Sequence, residues 1–209
     1  MPMTKLTLIL STVSLLILSC QQANIITNKD DQGRVTEKYN INDDSLKHGL
    51  YEAYINGAKV EEAHYDNGKL QGTRKIYRSN GAIEIEEQYD NNVISGKYKT
   101  FHLDGTLSQE ANYVDGVMQG ELKSYYQNKQ LKEVVTMVNN EENGPFVEYH
   151  ENGQKSYEGN YLNGENEYGL LQQYDESGVL IKKMTCDSLG VCTTIWTLKD
   201  GDIAPAKTK

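Results

Sequence analysis

Aromatic residues recur in this chain at a fixed spacing of 24 residues. Tyr65, Tyr89, Tyr113 and Tyr161 follow that period, and Met137 fills the one position that lacks a ring. A second aromatic series and a glycine series follow nearly the same period: Tyr54, Tyr77, Phe101, Tyr125, Tyr149 and Tyr174, and Gly49, Gly72, Gly96, Gly120, Gly144 and Gly169. Three series with one period indicate a repeat array, in which each unit buries its apolar residues against its neighbours.

Each repeat contains two tight turns marked by glycine. The first-turn glycines are Gly57, Gly81, Gly105, Gly153 and Gly178, and the second-turn glycines are Gly68, Gly116 and Gly164. Asn or Asp precedes most of them, and these pairs favour hairpins because glycine adopts positive φ without steric cost. Where the second turn lacks glycine, it has Asn91-Asn92 or Asn139-Asn140, and asparagine tolerates the left-handed region well. These glycines are therefore structural, and each repeat predicts one β-hairpin.

Apolar and polar residues alternate in the second strand of each repeat. Ile83, Ile85 and Tyr89 lie on one side of the strand, and Glu84 and Glu86 lie on the other. This alternation is typical of an antiparallel sheet that packs on one face only. A closed barrel or sandwich also has regular turns, but constant register over six units favours an open array. The predicted fold class is all-β: an elongated single-sheet array of antiparallel β-hairpins, one per repeat, with a short capping hairpin at the end.

The first 20 residues have a different composition. Lys5 precedes an apolar run that ends in Ile17-Leu18-Ser19-Cys20. A basic start, a short apolar stretch and a small residue before the cleavage point indicate a secretory signal. The last four residues resemble the bacterial lipobox, which implies that Cys20 is lipidated and begins the mature protein. A cleaved signal without lipid and a retained anchor are the alternatives.

The composition divides the chain into four segments. These are a lipoprotein signal peptide over residues 1–19, a polar tether over residues 20–31, a repeat domain over residues 32–198 and a polar C-terminal tail over residues 199–209. The tether is predicted because residues 21–31 are polar and have no periodicity.

Two cysteines lie at the end of the repeats. Cys186 takes the place of the next periodic tyrosine, and Cys192 follows it across a predicted hairpin loop. In an oxidising compartment this pair is expected to form a disulfide that caps the array. A metal or redox pair is the alternative, although the spacing matches no standard zinc or thioredoxin pattern.

The chain is acidic, with Lys+Arg 21, Asp+Glu 30 and a formal net charge of −9. This balance disfavours nucleic acid and anionic lipid head groups as binding partners. A basic protein partner is compatible with the charge, and acidity also serves solubility.

Glutamates recur with the repeat as well. Glu62, Glu86, Glu110 and Glu158 each lie five residues after a first-turn glycine, and Val134 interrupts the series. In a regular array they line one face about 10 Å apart, which is too far for a shared metal ion or a catalytic pair. They form a candidate acidic ladder for a basic partner. A solvated sheet face is the alternative.

No pattern in the chain predicts catalysis. His102 and His150 share a position in the repeat, but two repeats or roughly 20 Å separate them, so they cannot bind one metal ion. The chain has no His-Glu-x-x-His, Cys-x-x-Cys, Gly-x-Ser-x-Gly or phosphate-binding glycine loop. No catalytic residue, metal, cofactor or small-molecule substrate is predicted. The series that begins at Tyr54 suits either a packed face or a platform for stacking sugars or peptides.

The unit from Gly72 to Gly81, followed by Tyr89, resembles the bacterial MORN-type repeat, and so do the units beginning at Gly96 and Gly144. The resemblance covers residues 33–178. One unit departs from the pattern, because Lys129 replaces its turn glycine and Met137 replaces its tyrosine. Such variant repeats occur in secreted or lipid-anchored bacterial proteins, some of them labelled YwqK-type antitoxins. The resemblance implies a curved β-hairpin sheet that binds proteins, with no catalytic residues to transfer.

The predicted function is that of a non-enzymatic envelope lipoprotein whose repeat sheet is a protein-interaction or scaffold surface. An antitoxin or immunity protein that neutralises a toxin by binding is the first alternative, and a glycan-binding surface is the second. The expected location is the bacterial cell envelope, anchored by lipid at the outer membrane or cell surface rather than the inner membrane. The expected partners are a protein whose identity the sequence does not give, with a basic protein compatible with the charge, and, through the lipid, the membrane.

Overall fold

The computed structural model describes residues 24–164 and 166–203, and these residues form strands and tight turns. The first nine strands are β1 (Asn24–Lys29), β2 (Val35–Ile41), β3 (Lys47–Ile55), β4 (Ala58–Asp66), β5 (Lys69–Leu70), β6 (Gly72–Tyr77), β7 (Ile83–Asp90), β8 (Val93–Phe101) and β9 (Leu107–Val114). The remaining strands are β10 (Val117–Met118), β11 (Gly120–Tyr125), β12 (Leu131–Val138), β13 (Glu141–Tyr149), β14 (Lys155–Leu162), β15 (Asn166–Tyr174), β16 (Leu180–Cys186), β17 (Cys192–Thr197) and β18 (Gly201–Asp202). The described residues include no helix that could cross a membrane.

The strands form one antiparallel sheet in the order of the chain. β5 and β6 are separated by Gln71 and both pair with β4, and β10 and β11 are separated by Gln119 and both pair with β9. Among the described strands, β1 pairs only with β2 and β18 only with β17. The sheet is therefore open and not a barrel, and the predicted all-β hairpin array is confirmed.

Two kinds of turn connect the strands. In second turns such as Asn67-Gly68, both residues have positive φ, 48° and 80°, which is the two-residue type I′ turn. In first turns such as the one at Gly81, glycine alone is left-handed, and its N–H donates to the Arg78 carbonyl at 2.9 Å. A register shift at Ile76 and Tyr77 accompanies that turn, as expected for a glycine bulge. The eight turn glycines predicted from the sequence all have positive φ, from 80° to 100°.

The buried residues lie on one face of the sheet, because directly opposite residues share a face and consecutive residues alternate. We call it the packed face, and its buried members are Tyr51, Ala63, Ala111, Ser124, Val135, Met137, Phe146, Leu171 and Cys186. Phe146 and Leu171 approach each other over Gly159, where a Cβ would overlap Leu171. No second layer covers the packed face within the described part of the chain.

The periodic tyrosines pack on this face. The rings of Tyr65 and Tyr51 are 5.6 Å apart between centroids, and those of Tyr161 and Phe146 are 4.3 Å apart. In three repeats, a periodic tyrosine thus lies beside a ring of the preceding strand: Tyr65, Tyr113 and Tyr161. This contact explains why the spacing of the tyrosines equals the length of a hairpin.

The ends of the sheet differ from two predicted boundaries. The tether prediction is wrong from Asn24 onward, because β1 pairs with β2 along its whole length. Its Ile25-Ile26-Thr27 sequence has three β-branched residues, which favour strands even in a polar segment. In the predicted tail, β18 pairs with β17. Cys20 and the predicted signal peptide lie outside the described residues.

Candidate functional site

The predicted glutamate ladder lies on the face opposite the packed face, which we call the charged face. Directly opposite residues there follow the order Glu62, Lys75, Glu86, Lys99, Glu110 and Lys123. Each such pair of opposite charges stabilises a sheet by about 0.2–1 kcal/mol. The ladder therefore alternates glutamates with lysines and is not a purely acidic stripe, and its role in binding a basic partner stays a prediction. The lysines also recur every 24 residues in the sequence, and this second series could have shown that lysines alternate with the glutamates.

Glu158, the last rung of the ladder, has its own set of partners. It accepts hydrogen bonds from Lys155 Nζ at 2.7 Å, from Gln172 Nε2 at 2.8 Å and from the hydroxyl of Tyr174. Burial disfavours the ionised form, but the bonds from Lys155 and Tyr174 outweigh it and lower the pKa of Glu158. This carboxylate is already satisfied within the sheet.

The aromatic series that begins at Tyr54 also lies on the charged face, half-buried. The hydroxyl of Tyr125 donates to Glu110 Oε1 at 2.6 Å, and burial followed by this carboxylate raises the pKa of Tyr125 to about 12. Lys59 Nζ lies 5.5 Å from the ring centroid of Tyr77. The rings of Tyr77 and Tyr125 are therefore engaged by neighbouring charges rather than packed in the core.

The histidines that share a repeat position bind backbone. His102 Nε2 donates to the carbonyl of Tyr125 at 2.9 Å, one repeat further along the chain. The same kind of bond recurs at three further equivalent positions: Arg78 to Phe101 at 2.8 Å, Tyr126 to Tyr149 at 2.7 Å and His150 to Tyr174 at 3.1 Å. We call these contacts the inter-repeat bridges. They give the histidines a structural role.

The packed face holds glutamates of two kinds. Near β6, Arg74 pairs with Glu61 through Nε at 2.7 Å and with Glu87 through Nη1 at 3.0 Å. Farther along, Glu133 and Glu148 lie directly opposite each other on β12 and β13. Neither of these two forms an ion pair with a described residue. The second pair therefore lacks the direct ion pairs of Glu61 and Glu87, and the charge of Lys132 only partly offsets what raises the pKa of its two carboxyls.

The environment of this pair opposes its ionisation. Burial is the main cause that raises the pKa of Glu133, followed by repulsion from Glu148. Burial also raises the pKa of Glu148, followed by repulsion from Glu167. Glu167 raises the pKa of Tyr157 as well, after burial, through a hydrogen bond. Sequence reasoning missed this site because its glutamates do not recur with the repeat.

The two terminal cysteines form a disulfide. Cys186 and Cys192 are directly opposite on β16 and β17, with Cα atoms 4.0 Å apart. A carboxylate oxygen of Glu167 and both sulfurs lie within 4.8 Å of one another, the only such group of three among the described residues. Sulfurs joined in a disulfide are not thiolate ligands, so this arrangement fits the predicted cap and not a metal site.

Comparison with known proteins agrees with the geometry of the hairpins. The model of the MORN repeat variant matches four consecutive segments, residues 70–91, 94–115, 118–139 and 142–163. Among the curated proteins, none matches the chain significantly. Repeats of this family suggest an interaction or scaffold protein, and the family is in general non-catalytic. The MORN-type resemblance read from the sequence is thus confirmed over residues 70–163, which are four consecutive MORN repeats of the variant type.

Proposed function

We propose that this protein is a non-enzymatic lipoprotein of the bacterial cell envelope whose packed face binds a basic protein. The observation that carries the proposal is the opposed pair Glu133 and Glu148, which is half-buried, forms no ion pair with a described residue and lies on a face that no described element covers. A lysine or arginine from a partner would relieve the repulsion between the two carboxylates. The binding surface thus lies opposite the predicted ladder.

The surroundings of the pair suit a protein interface. Phe146, Tyr157 and Tyr161 form a ring cluster beside it, with the centroid of Phe146 lying 5.5 Å and 4.3 Å from those of the two tyrosines. Aromatic residues are enriched at interfaces because they contribute large contact areas with little loss of conformational entropy. An apolar centre with adjacent charge also discriminates between partners, since the wrong charge is repelled.

Cross-linking in cells that make the protein tests this proposal. A tagged chain is cross-linked, extracted from membranes and purified, in parallel with a Glu133→Gln/Glu148→Gln variant. The matched control is Glu86→Gln/Glu110→Gln, which removes two carboxylates from the charged face. We expect the first variant to recover about tenfold less of a co-purifying basic protein than the wild-type chain recovers. The recovery by the control should fall by less than about twofold.

Equal recovery with both variants would contradict the assignment of the binding surface. Recovery of one toxin, held tightly, would instead favour the antitoxin or immunity alternative. The anchor has a separate test, since Cys20→Ala removes the only side chain that the lipobox would modify. We expect that variant to leave the membrane fraction, and unchanged fractionation would contradict lipid anchoring.

A further inference from the structure

The first repeat holds an ammonium group among three tyrosine rings. Lys47 Nζ lies 4.8 Å from the ring centroid of Tyr39, 4.1 Å from that of Tyr51 and 5.3 Å from that of Tyr65. We call these three tyrosines the tyrosine cage. All three distances fall within the roughly 6 Å over which an aromatic ring attracts a cation. Three rings around one charge are typical of a cation-binding site.

Carboxylates behind the rings increase the attraction for a cation. The hydroxyl of Tyr51 donates to Glu37 Oε1 at 2.9 Å. Burial is the main cause that raises the pKa of Tyr51, followed by the hydrogen bond to Glu37 and by the charges of Glu37 and Glu61. Lys47 itself has no hydrogen bond or ion pair from its ammonium to any described residue, so the rings are its direct partners.

Comparison between repeats shows that the cation is particular to the first one. Lys47 lies two residues before Gly49, and the next three repeats have Leu70, Ile94 and Met118 at that position. An apolar residue there extends the packed face. The lysine carries its charge into the same place and is surrounded by rings and acids. The first repeat therefore places a cation where the next three repeats place an apolar side chain, and this difference points to cation binding.

We infer that the tyrosine cage is a binding site for a trimethylammonium group, with Lys47 as a resident cation that the ligand displaces. A trimethylammonium group has the same charge but no N–H donors, so it is less strongly hydrated and gains more from ring contact. Lys47 has a flexible four-carbon stem, which allows its ammonium to leave the cage for solvent. The ligand is either a soluble choline compound or the choline head group of a lipid.

Choline titration of the full folded chain tests the site. Chemical shifts of the tyrosine rings are followed in the wild-type protein, in Lys47→Ala and in Lys155→Ala. The last variant is a matched control, because Lys155 Nζ lies over one ring only, 5.8 Å from the centroid of Tyr174. We expect Lys47→Ala to bind choline about tenfold more tightly than the wild type, since the competing cation is gone, and Lys155→Ala to match the wild type.

Two further samples make the test specific. The uncharged isostere 3,3-dimethylbutan-1-ol is expected not to bind, and Lys47→Ala/Tyr39→Ala is expected to lose choline binding while keeping its circular dichroism spectrum. Co-sedimentation with phosphatidylcholine vesicles, but not with phosphatidylglycerol vesicles, would identify the lipid as the source, and binding of free choline alone would identify a soluble compound. The inference is overturned if folded Lys47→Ala binds neither free choline nor phosphatidylcholine vesicles, or if it binds the isostere as well as it binds choline.

Discussion

At the scale of single residues, Lys129 has a conformation that suits glycine. It occupies the first-turn glycine position of its repeat with a φ of 70°. A side chain in the left-handed region costs roughly 1–2 kcal/mol. We therefore expect Lys129→Gly to raise the free energy of unfolding by about 1 kcal/mol, measured by urea denaturation.

The control for this prediction is Lys129→Ala, which keeps a Cβ and should leave stability nearly unchanged. The reverse change is Gly105→Lys. A Cβ at Gly105 meets no atom within 4 Å, so this variant isolates the cost of positive φ. A gain in stability from Lys129→Ala equal to that from Lys129→Gly would show that backbone strain is not the cause.

A second residue-scale prediction concerns the Glu133 carboxyl. Its pKa in the folded protein is raised above the ordinary value of 4.5, first by burial and then by Glu148. The folded state thus holds this proton more tightly than the unfolded state. The charge opposes folding above the raised pKa, and the penalty disappears as the pH falls below 4.5.

We therefore expect Glu133→Gln to raise the free energy of unfolding at pH 7 by about 0.5–1 kcal/mol, and to have no effect near pH 4. The matched control is Glu86→Gln on the charged face. It removes a carboxylate that faces Lys75 and Lys99, so stability at pH 7 should fall slightly. A stability difference for Glu133→Gln that did not change with pH would show that ionisation of this carboxyl is not the cause.

At the scale of elements, the inter-repeat bridges connect consecutive hairpins through side chains. The Tyr126 hydroxyl donates to the carbonyl of Tyr149 at 2.7 Å. We expect Tyr126→Phe to lower the free energy of unfolding by about 1 kcal/mol, because the net value of one such bond is of that order. Tyr168→Phe is the control, since Tyr168 is exposed and no described residue is hydrogen-bonded to its hydroxyl. Equal losses would show that the bridge does not contribute.

The hairpins could be predicted from sequence because their cause is local. Asn67-Gly68 specifies a turn by its own φ preferences, and the alternation of Ile83 to Tyr89 specifies a face. Which residue lies directly across from another on the neighbouring strand depends on the register between the strands. The lysines beside Glu86 could be found only by aligning the strands that the turns connect. The Glu133 site required both register and burial, which local patterns do not contain.

At the scale of the whole molecule, a one-layer sheet distributes its stability along the array. Each hairpin contacts only its neighbours, so the free energy of folding is roughly a sum of repeat and interface contributions. The largest buried cluster, which includes Val135, Phe146 and Leu171, lies toward the C-terminal half. The disulfide of β16 and β17 lies beyond it, and the tyrosine cage lies at the opposite end. Different repeats therefore carry different local features, a buried cluster, a disulfide and the tyrosine cage, on one shared register.

That modularity predicts the result of removing one repeat. Deletion of residues 96–119, one full period, joins Ser95 to Gly120 and places Glu86 opposite Lys123 instead of Lys99, so both faces keep their character. We expect a folded sheet about 10 Å shorter by small-angle X-ray scattering, with a smaller urea m-value. Deletion of residues 96–118, one residue fewer, moves the following strand to the other face and should abolish cooperative folding. If both deletions folded equally well, pairing across strands would not determine the register of the array.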